Sequence, residues 1–300
     1  MKIFVTGASG FIGQAFCRAA IGRGHEVLGL SRNEGTSLPA GCEKACGTLE
    51  SIPWSRIEQF KPAAALHLAW IATPGGYLTS PENEILVEQS RLLFRGLAER
   101  GATHLAGVGT CIEYAASDSP LDEFRSPLGP GYPYSQCKAA LGQWLSEHCT
   151  GASLPWSWFR VFFPYGPGEH PGRLPTYIVK QLRGGHRVAL KTPYSVKDYI
   201  YIDDLAGALC SALEAGLVGP VNLGSGQGVP ILHLARRLAE LLGADPALVG
   251  EAEVLADDPM PTVIAETSRI RSTGWSPKVS LENGLRNLIS SLPGHDALNN

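Results

Sequence analysis

The chain has 300 residues, of which 44% are apolar and 18% charged, and its formal net charge at pH 7 is −3. This composition is that of a globular protein and gives no reason to expect nucleic acid; no apolar run could span a membrane, and glycine interrupts the N-terminus before a signal peptide could form. The seven cysteines include no Cys-x-x-Cys pair and the eight histidines have no metal-ligand spacing, so we expect reduced thiols, a cytoplasmic protein and no metal site.

The first predicted element is a buried strand over residues 2–6, a short apolar run bounded by glycine. A glycine-rich turn and a helical pattern follow. In the strand–turn–helix unit that binds dinucleotides, the first glycine makes the tight turn, the second lets the backbone approach a pyrophosphate, and the third lets helix and strand pack closely. The Gly-x-x-Gly-x-x-Gly spacing differs by one residue from the common fingerprint, and a plain glycine turn is the alternative. We predict a dinucleotide site formed by Gly7, Ser9, Gly10, Phe11, Ile12 and Gly13.

The end of the second predicted strand, residues 25–30, indicates which dinucleotide binds. NAD-specific folds usually place a carboxylate there to bind the two ribose hydroxyls. In this chain the next residues are Ser31 and Arg32, and the first carboxylate is Glu34. A hydroxyl and a guanidinium suit a 2′-phosphate, which arginine can bind with two donors. We therefore predict NADP, with NAD less favoured; for Arg32 the alternative is an exposed surface arginine.

Three later apolar runs predict buried strands and one amphipathic run predicts a helix: residues 63–69, 104–109 and 156–163, and residues 85–100. In open parallel sheets, ligands bind beyond the carboxyl ends of the strands. Trp70 and Tyr77 lie in the loop after the first of these strands, and Thr110 follows the second. We therefore expect Thr110 to offer its hydroxyl to the same crevice as Tyr134.

The pair Tyr134 and Lys138 is the leading candidate for chemistry. The residues after Pro133 are good helix formers, and side chains four residues apart on a helix share a face. A positive charge beside a phenol favours the phenolate and lowers its pKa, which normally lies near 10. Such a pair can take a proton from an alcohol or return one to a ketone. Because the same spacing also arises on ordinary half-buried helix faces, the pair counts only in the context of its neighbours.

The pattern changes after residue 165. We predict a dinucleotide-binding domain over 1–165 and a mainly substrate-binding lobe over 166–300, with about 198–225 packing back on the first sheet. Asp203 or Asp204 is predicted to cap the N-terminus of an alanine-rich helix. Further patterns predict a strand at 221–224 and helices over 231–242 and 281–292.

Several motifs together resemble the extended short-chain dehydrogenases/reductases, which include nucleotide-sugar epimerases, dehydratases and ketoreductases. They cover nearly the whole chain: the glycine loop, His67-Leu68-Ala69, Thr110, Tyr134 with Lys138, Arg160 with Tyr165-Gly166-Pro167, Asp198 to Asp204, and Gly274-Trp275-Ser276-Pro277. Residues 109–114 and 160–173 are most similar to reductases of nucleotide-linked 4-keto-6-deoxyhexoses. The resemblance implies an α/β fold, with a Rossmann-type doubly wound parallel sheet and a smaller C-terminal lobe, and a homodimer paired through the helices at 85–100 and 134–148.

The resemblance also implies roles for individual residues. Tyr134 would be the acid/base, Lys138 would lower its pKa and bind the nicotinamide ribose, and Thr110 would hydrogen-bond the reacting oxygen, while the nicotinamide carries the hydride. Besides the glycine loop, the cofactor would contact Ser31, Arg32, Leu68, Ala69, Tyr134, Lys138, Phe162 and Phe163. The substrate pocket would contain Trp70, Tyr77, Cys111, Ile112, Phe163, Arg173 and Lys197, with Arg173 and Lys197 available for a phosphate.

Departures from the family pattern narrow the reaction. Dehydratases carry an Asp-Glu pair directly after the Ser/Thr, where this chain has Cys111 and Ile112, so we do not expect water elimination. Phe163 stands where many nucleotide-sugar enzymes have an asparagine that binds the nucleotide phosphate, and Lys197 stands where many have arginine. A late arginine of those enzymes has no match within 257–263. These replacements leave room for an unusual substrate.

Three hypotheses follow from the sequence. The first is an NADP(H)-dependent reductase of a keto-sugar, linked to a nucleotide. The second is a nucleotide-sugar epimerase that keeps NAD bound and oxidises, rotates and re-reduces one carbon; Ser31 and Arg32 disfavour it, because epimerases usually bind NAD. The third is a cofactor-sensing binding protein without catalysis, which the intact Thr110, Tyr134 and Lys138 disfavour.

Overall fold

The computed structural model describes residues 1–293, so residues 294–300 of the predicted second lobe lie outside the described part of the chain. Its strands are β1 Lys2–Thr6, β2 Glu26–Ser31, β3 Cys42–Cys46, β4 Ala64–His67, β5 His104–Thr110, β6 Trp156–Val161, β7 Phe163–Tyr165, β8 Val188–Leu190, β9 Val196–Tyr201, β10 Gly219–Leu223, β11 Gly228–Pro230, β12 Val249–Glu251 and β13 Thr262–Val263. Its helices are α1 Phe11–Gly22, α2 Trp54–Phe60, α3 Glu82–Glu99, α4 Pro133–Gly151, α5 Leu174–Arg183, α6 Ile202–Glu214, α7 Ile231–Leu242, α8 Ser268–Arg271 and α9 Leu281–Ser291. A 3₁₀ turn, Cys111–Glu113, follows β5, and another, Pro246–Leu248, precedes β12.

The main sheet has seven parallel strands in the order β3-β2-β1-β4-β5-β6-β10. The chain starts in the middle at β1, builds outwards to β3, and then crosses to the other side for β4. This is the doubly wound Rossmann arrangement, and the predicted fold class is confirmed. The reversal between β1 and β4 leaves a crevice at the carboxyl ends of the strands, where ligands bind in such sheets.

The strands of this sheet are buried on both faces. Ile3 and Val5 pack with α1 and α6 on one face, while Phe4 between them packs with α3 and α4 on the other. Such strands read as continuous apolar runs rather than as alternating ones. The run over residues 2–6 therefore predicted a strand correctly although it shows no period of two.

Beyond β6 the chain builds a second, smaller part. β9 pairs with β7, β11 and β13, β12 pairs with β8, and α5 packs against α7 and α9. Two elements return to the first part: β10 is the edge strand beside β6, and α6 packs against α1. The predicted domain boundary falls at the end of β7, and the division into two domains stays a prediction.

Two local sequence predictions differ from the structure. The single strand predicted over 156–163 is two strands, because β6 ends at Val161 in the main sheet and β7 continues from Phe163 beside β9. The pattern also gave no sign of β3 or α2, which are short and mix polar with apolar residues. Short elements of this kind are defined by the neighbours they pair with rather than by their own sequence.

The predicted N-cap of α6 is also wrong. The helix begins after Tyr201, and no side chain caps it. Asp203 and Asp204 lie in its first turn, where their negative charges interact favourably with the positive end of the helix dipole. The carboxylate of Asp204 instead accepts hydrogen bonds from the backbone N–H groups of Lys278 at 2.9 Å and Val279 at 3.0 Å. Asp204 therefore fastens the segment that leads into α9.

Two histidines, His67 and His104, form hydrogen bonds inside the fold. His67 is buried between the hydroxyl oxygens of Thr6 at 2.7 Å and Ser90 at 2.8 Å, and His104 contacts the Ser157 hydroxyl at 2.7 Å. All seven cysteines are free thiols.

Within residues 1–293, no helix combines the length and the apolar character that crossing a membrane requires.

Asp198 connects three parts of the second half of the chain. It is fully buried in β9, and its carboxylate accepts hydrogen bonds from the Ser225 N–H (2.8 Å), the Ser225 hydroxyl (2.5 Å), the Gly226 N–H (2.9 Å) and the Ala265 N–H (3.1 Å). The loop after β10 and the loop after β13 are thereby held against the strand that carries Lys197.

We expect Asp198→Ala to lower the free energy of unfolding by about 3 kcal/mol, because several backbone N–H groups lose a charged acceptor that water cannot easily replace. Chemical denaturation measures this loss. The matched control is Asp203→Ala: this aspartate is exposed, and we expect a loss below about 1 kcal/mol. Equal losses in the two variants would contradict the structural role of Asp198.

Candidate active site

A cleft of about 380 Å³ opens at the carboxyl ends of the central strands. All the residues predicted to be catalytic or to contact substrate line it: Trp70, Tyr77, Thr110, Cys111, Ile112, Tyr134, Lys138, Phe163, Arg173 and Lys197. Of the predicted cofactor residues, Ile12, Leu68 and Phe162 also line the cleft. The sequence analysis missed Leu174, Pro175, Tyr199 and Ile231, which come from the second part of the chain. No local pattern signals that placement, since it depends on how the second part packs against the first.

Tyr134 and Lys138 lie one turn apart at the start of α4, as their spacing predicted. The helix is anchored by a hydrogen bond from the Tyr134 N–H to the Leu78 carbonyl at 3.0 Å. The Lys138 ammonium is buried; it donates to the Val108 carbonyl at 2.7 Å and lies 3.9 Å from the centre of the Trp70 ring. Its distance to the centre of the Tyr134 ring is 6.0 Å.

Exclusion of water is the largest cause of the pKa shifts of Tyr134 and Lys138. Burial raises the pKa of Tyr134 above its ordinary value, Tyr77 and Glu113 add to the rise, and Arg173 opposes it. Burial lowers the pKa of Lys138 to about 7, although the charge of Glu113 opposes the fall. Loss of solvation outweighs the opposing charge of Arg173, and the lowering of the Tyr134 pKa by Lys138 stays a prediction. With its pKa raised, the Tyr134 phenol is protonated at neutral pH.

Thr110 lies at the turn between β5 and the 3₁₀ helix and lines the same cleft as these two residues. Its hydroxyl accepts a hydrogen bond from the Ile112 N–H at 3.5 Å, and its own N–H donates to the Glu113 carboxylate at 2.8 Å. Glu113 is fully buried and forms an ion pair with Arg160 at 2.8 Å. Sequence reasoning did not name Glu113, yet the Thr-x-x-Glu spacing of a capping box is the signal that could have found it.

Cys111 and Tyr77 complete the wall near Tyr134. The rings of Tyr77 and Tyr134 meet edge to face, with 4.8 Å between their centres. Burial raises the pKa of Cys111 to about 12, so this thiol is neutral at physiological pH. Cys111 and Ile112 therefore cannot form an acid–base pair, because the thiol is neutral and isoleucine has no ionisable group.

The glycine loop has the shape that a dinucleotide requires. Gly7 has a φ of +67°, and a Cβ atom there would lie 2.8 Å from the backbone N of Ala69. A Cβ on Gly13 would lie 2.1 Å from the Gly7 carbonyl oxygen, so only glycine allows α1 to pack this closely on the turn. Gly10 is the N-cap of α1 and no side chain caps that end. Backbone N–H groups at an uncapped helix N-terminus are suited to a phosphate.

The remaining predicted cofactor residues lie around this loop. Ser9 and Phe11 belong to it, and Ala69 follows β4, where its N–H donates to the Thr6 hydroxyl at 3.2 Å. At the end of β2, Ser31 is buried and donates to the Asn33 carbonyl at 3.1 Å. Arg32 is exposed, and within residues 1–293 its side chain forms no hydrogen bond or ion pair. No carboxylate follows this strand directly.

The two cations predicted for a phosphate differ in their surroundings. Arg173 is the N-cap residue of α5, and its guanidinium forms no hydrogen bond or ion pair within the described residues. Lys197, in contrast, donates to the Asp258 carboxylate at 2.7 Å and to the Met260 carbonyl. The Lys197 ammonium is thus already paired in this structure, and its contact with a phosphate stays a prediction.

The chain is similar to several known proteins, which are named as enzymes of sugar nucleotides. The model of the NAD dependent epimerase/dehydratase family matches residues 3–224. UDP-glucuronic acid decarboxylase 1 of Xenopus tropicalis is 26% identical over 303 residues, which cover 96% of this chain and 71% of that protein. The UDP-glucose 4-epimerase of Thermus thermophilus, solved in complex with NAD, superposes with a TM-score of 0.80 at 25% identity and covers 97% of this chain and 98% of its own. A UDP-N-acetylglucosamine 4-epimerase from Methanobrevibacter ruminantium shares the fold, with a TM-score of 0.86 at 19% identity and 97% of each chain covered.

Burial of Lys138 predicts a pH-dependent stability. The ordinary lysine pKa of 10.5 falls to about 7 in the folded chain, so between these values the unfolded chain binds more protons, and raising the pH favours folding. From pH 7 to pH 9 we expect the free energy of unfolding of the wild type to rise by about 2 kcal/mol relative to Lys138→Met. Urea denaturation of both proteins at the two pH values measures this difference.

The exposed Lys191 provides the control for this experiment. Between pH 7 and pH 9, Lys191→Met should follow the wild type, because a solvated ammonium carries no burial penalty. Parallel pH dependences of the wild type and Lys138→Met would show that the Lys138 ammonium is not desolvated.

Proposed function

This chain belongs to the NAD-dependent epimerase/dehydratase family, and within that family of enzymes we propose that it is an NADP(H)-dependent reductase of a keto-sugar, namely a nucleotide-linked 4-keto-6-deoxyhexose. The observation that carries the choice of a reductase is the end of β2. There, Arg32 extends into solvent and no carboxylate follows the strand directly, which supports NADP over NAD. In cells the NADP pool is usually the reducing one, so a freely exchanging cofactor would drive reduction.

We propose that the cofactor binds along the glycine loop and the carboxyl ends of the central strands. The N-terminus of α1 would receive the pyrophosphate, and Arg32 with Ser31 the 2′-phosphate. Leu68, Ala69, Phe162 and Phe163 would lie beside the cofactor, and Lys138 would hold the nicotinamide ribose. When bound, the nicotinamide supplies the hydride.

The reacting oxygen would lie between Thr110 and Tyr134. The Thr110 hydroxyl orients it, and the neutral phenol of Tyr134 donates the proton that turns the reduced ketone into an alcohol. A protonated phenol is the form that reduction needs, and a phenol whose pKa lies at or above its ordinary value near 10 is protonated at neutral pH. Cys111 and Ile112 supply no acid–base pair, so the residues support proton transfer at one oxygen without loss of water. Trp70, Tyr77 and Ile112 would form the wall against the sugar.

The epimerase remains the second candidate, and the solved structures with the same fold favour it. Both solved structures compared above are 4-epimerases, with TM-scores of 0.80 and 0.86. An epimerase would use the same Tyr134 and Thr110 but would keep its cofactor bound. The third hypothesis, a cofactor-sensing protein without catalysis, is disfavoured because Thr110, Tyr134 and Lys138 line one cleft.

A homodimer is part of the proposal. The helices α3 and α4 pack side by side in this chain, and Ile85 and Leu92 on α3 are 56% and 60% exposed. A second copy that covers this face would bury both side chains. A molar mass of one chain by light scattering would contradict the dimer.

The reaction is tested by supplying a set of nucleotide-linked 4-keto-6-deoxyhexoses with NADPH and following absorbance and products. We expect one NADPH consumed per alcohol formed. Interconversion of two sugar epimers without net NADPH consumption would replace the reductase with the epimerase.

In the same assay, Tyr134→Phe keeps the ring but removes the proton donor, so turnover should fall about 10²- to 10⁴-fold with NADPH affinity little changed. Near-normal turnover in this variant would end the assignment of Tyr134.

Arg32→Ala tests the cofactor preference separately. A charged donor to a phosphate contributes about 1.5–3 kcal/mol, so we expect NADPH affinity to fall roughly ten- to over a hundred-fold while NADH affinity changes little. Titration of the purified variant with each cofactor measures the two losses. Equal losses for NADPH and NADH would show that Arg32 does not bind the 2′-phosphate.

A further inference from the structure

The loop between β4 and α3 contacts both of the side chains that the proposed reaction uses. The Lys138 ammonium lies 3.9 Å from the centre of the Trp70 ring. The Tyr77 ring meets the Tyr134 ring edge to face, with 4.8 Å between their centres, and the Leu78 carbonyl accepts the Tyr134 N–H at 3.0 Å. The geometry of Lys138 and Tyr134 therefore depends on what holds this loop in place.

A glycine pair, Gly75 and Gly76, separates Trp70 from Tyr77 within the loop. Gly75 has a φ of +99°, and within residues 1–293 a Cβ atom on either glycine would meet no heavy atom within 4 Å beyond its chain neighbours. Glycines in open space leave the backbone many conformations. This pair therefore cannot hold Trp70 and Tyr77 in place.

One side chain in the first turn of α3 anchors the loop instead. Asn83 is fully buried. Its amide oxygen accepts the indole N–H of Trp70 at 2.8 Å. Its NH₂ group donates to the backbone carbonyls of Tyr77 at 2.7 Å and Ser80 at 2.9 Å. Asn83 thus ties both aromatic residues of the loop to α3.

The three partners of Asn83 specify a primary amide at this position. An indole N–H can only donate and a carbonyl can only accept, so the side chain must supply one acceptor and two donors. A carboxylate would bring negative charge against two carbonyl oxygens, and an apolar side chain would leave the indole N–H without its partner. Replacing Asn83 therefore releases the loop even when the volume of the side chain is kept.

The hold on Trp70 matters most for Lys138. Lys138 is 3% exposed, and its ammonium donates to the Val108 carbonyl at 2.7 Å while the Trp70 ring lies against it. Burial lowers the pKa of Lys138 to about 7. The indole cannot swing away from the ammonium without breaking its hydrogen bond to Asn83. Release of Trp70 would therefore admit water to the ammonium and return the pKa of Lys138 toward its ordinary value of 10.5.

We propose that Asn83 is a positioning residue for the reaction in this cleft: through Trp70 and Tyr77 it fixes Lys138 and Tyr134 in the arrangement in which they act on cofactor and substrate. Among residues 1–293, those that line the cleft include Trp70 and Tyr77 but not Asn83, so Asn83 acts through these two neighbours. This role goes beyond the proposed function and rests on it only through Lys138 and Tyr134, whose parts in catalysis a reductase and an epimerase would share.

The test measures how far Lys138 is shielded from water, by urea denaturation of the full chain at pH 7 and pH 9. Each protein is compared with the same protein carrying Lys138→Met, so that only the Lys138 contribution remains. For the wild type we expect the unfolding equilibrium constant to fall about thirtyfold more than in Lys138→Met, equivalent to about 2 kcal/mol. For Asn83→Leu we expect this difference to be below about fivefold, because the released Trp70 no longer keeps water from the ammonium.

Two further variants separate positioning from a general loss of stability. Leu288→Ala removes a fully buried side chain of α9, in the second part of the chain, and should destabilise the fold while keeping the wild-type difference. Trp70→Phe keeps an aromatic ring but removes the N–H that Asn83 binds. It should reduce the difference as Asn83→Leu does, and Asn83→Leu/Trp70→Phe should reduce it no further. If Asn83→Leu does not fold, as judged by its thermal transition, Trp70→Phe decides alone, since it leaves both amide donors of Asn83 in place.

Turnover gives a second readout, which includes Tyr134. With NADPH and a nucleotide-linked 4-keto-6-deoxyhexose, Asn83→Leu should lower kcat about tenfold or more, because the phenol is no longer held in its reacting position. Leu288→Ala should stay within about twofold of the wild type. Without turnover by the wild type the proposed function fails, and the measurement on Lys138 still decides the role of Asn83.

Any of four results would contradict this role. A folded Asn83→Leu that keeps the wild-type difference would show that Asn83 does not control the burial of Lys138. An equal reduction in Leu288→Ala would show that the difference follows overall stability. An undiminished difference in Trp70→Phe would show that Asn83 does not act through the indole. A kcat of Asn83→Leu within about twofold of the wild type would show that catalysis does not depend on Asn83.

Discussion

The constraint on which the site depends is the burial of one ammonium group. Lys138 donates to the Val108 carbonyl at 2.7 Å and lies against the Trp70 ring, which joins α4 to the end of β5. Taking an ammonium out of water is costly, and the fall of its pKa to about 7 expresses that cost. The same exclusion of water raises the pKa of the neighbouring Tyr134. The packing around Lys138 therefore works against stability.

The buried carboxylate of Glu113 offsets part of the cost of burying the Lys138 ammonium. Glu113 accepts the Thr110 N–H, pairs with Arg160 at 2.8 Å and opposes the fall in the pKa of Lys138. Removing one partner of such a pair leaves the other charge uncompensated, so the two residues act as a unit. Because the turn that carries Thr110 is built on Glu113, the position of the Thr110 hydroxyl and the electrostatics of Tyr134 depend on the same carboxylate.

The second part of the chain sets what the cleft can hold. It contributes Arg173 and Lys197, but the loop that contains Asp258 neutralises Lys197. Asp198 buries its own charge beside Lys197 in β9 and fastens the surrounding loops through backbone N–H groups. The charge that the cleft presents therefore depends on contacts made within the second part of the chain.

The sequence by itself determined the features that local physics controls. The strand–turn–helix unit with Gly7 and Gly13, and the one-turn spacing of Tyr134 and Lys138, depend on backbone conformation and helical periodicity within a few residues. The tertiary structure alone decided how charges pair. The pairing of Lys197 with Asp258, 61 positions later, and the rise in the pKa of Tyr134 on burial depend on which distant segments exclude water. No periodicity or spacing records those distances, because desolvation is a property of the packed neighbourhood and not of the sequence around one residue.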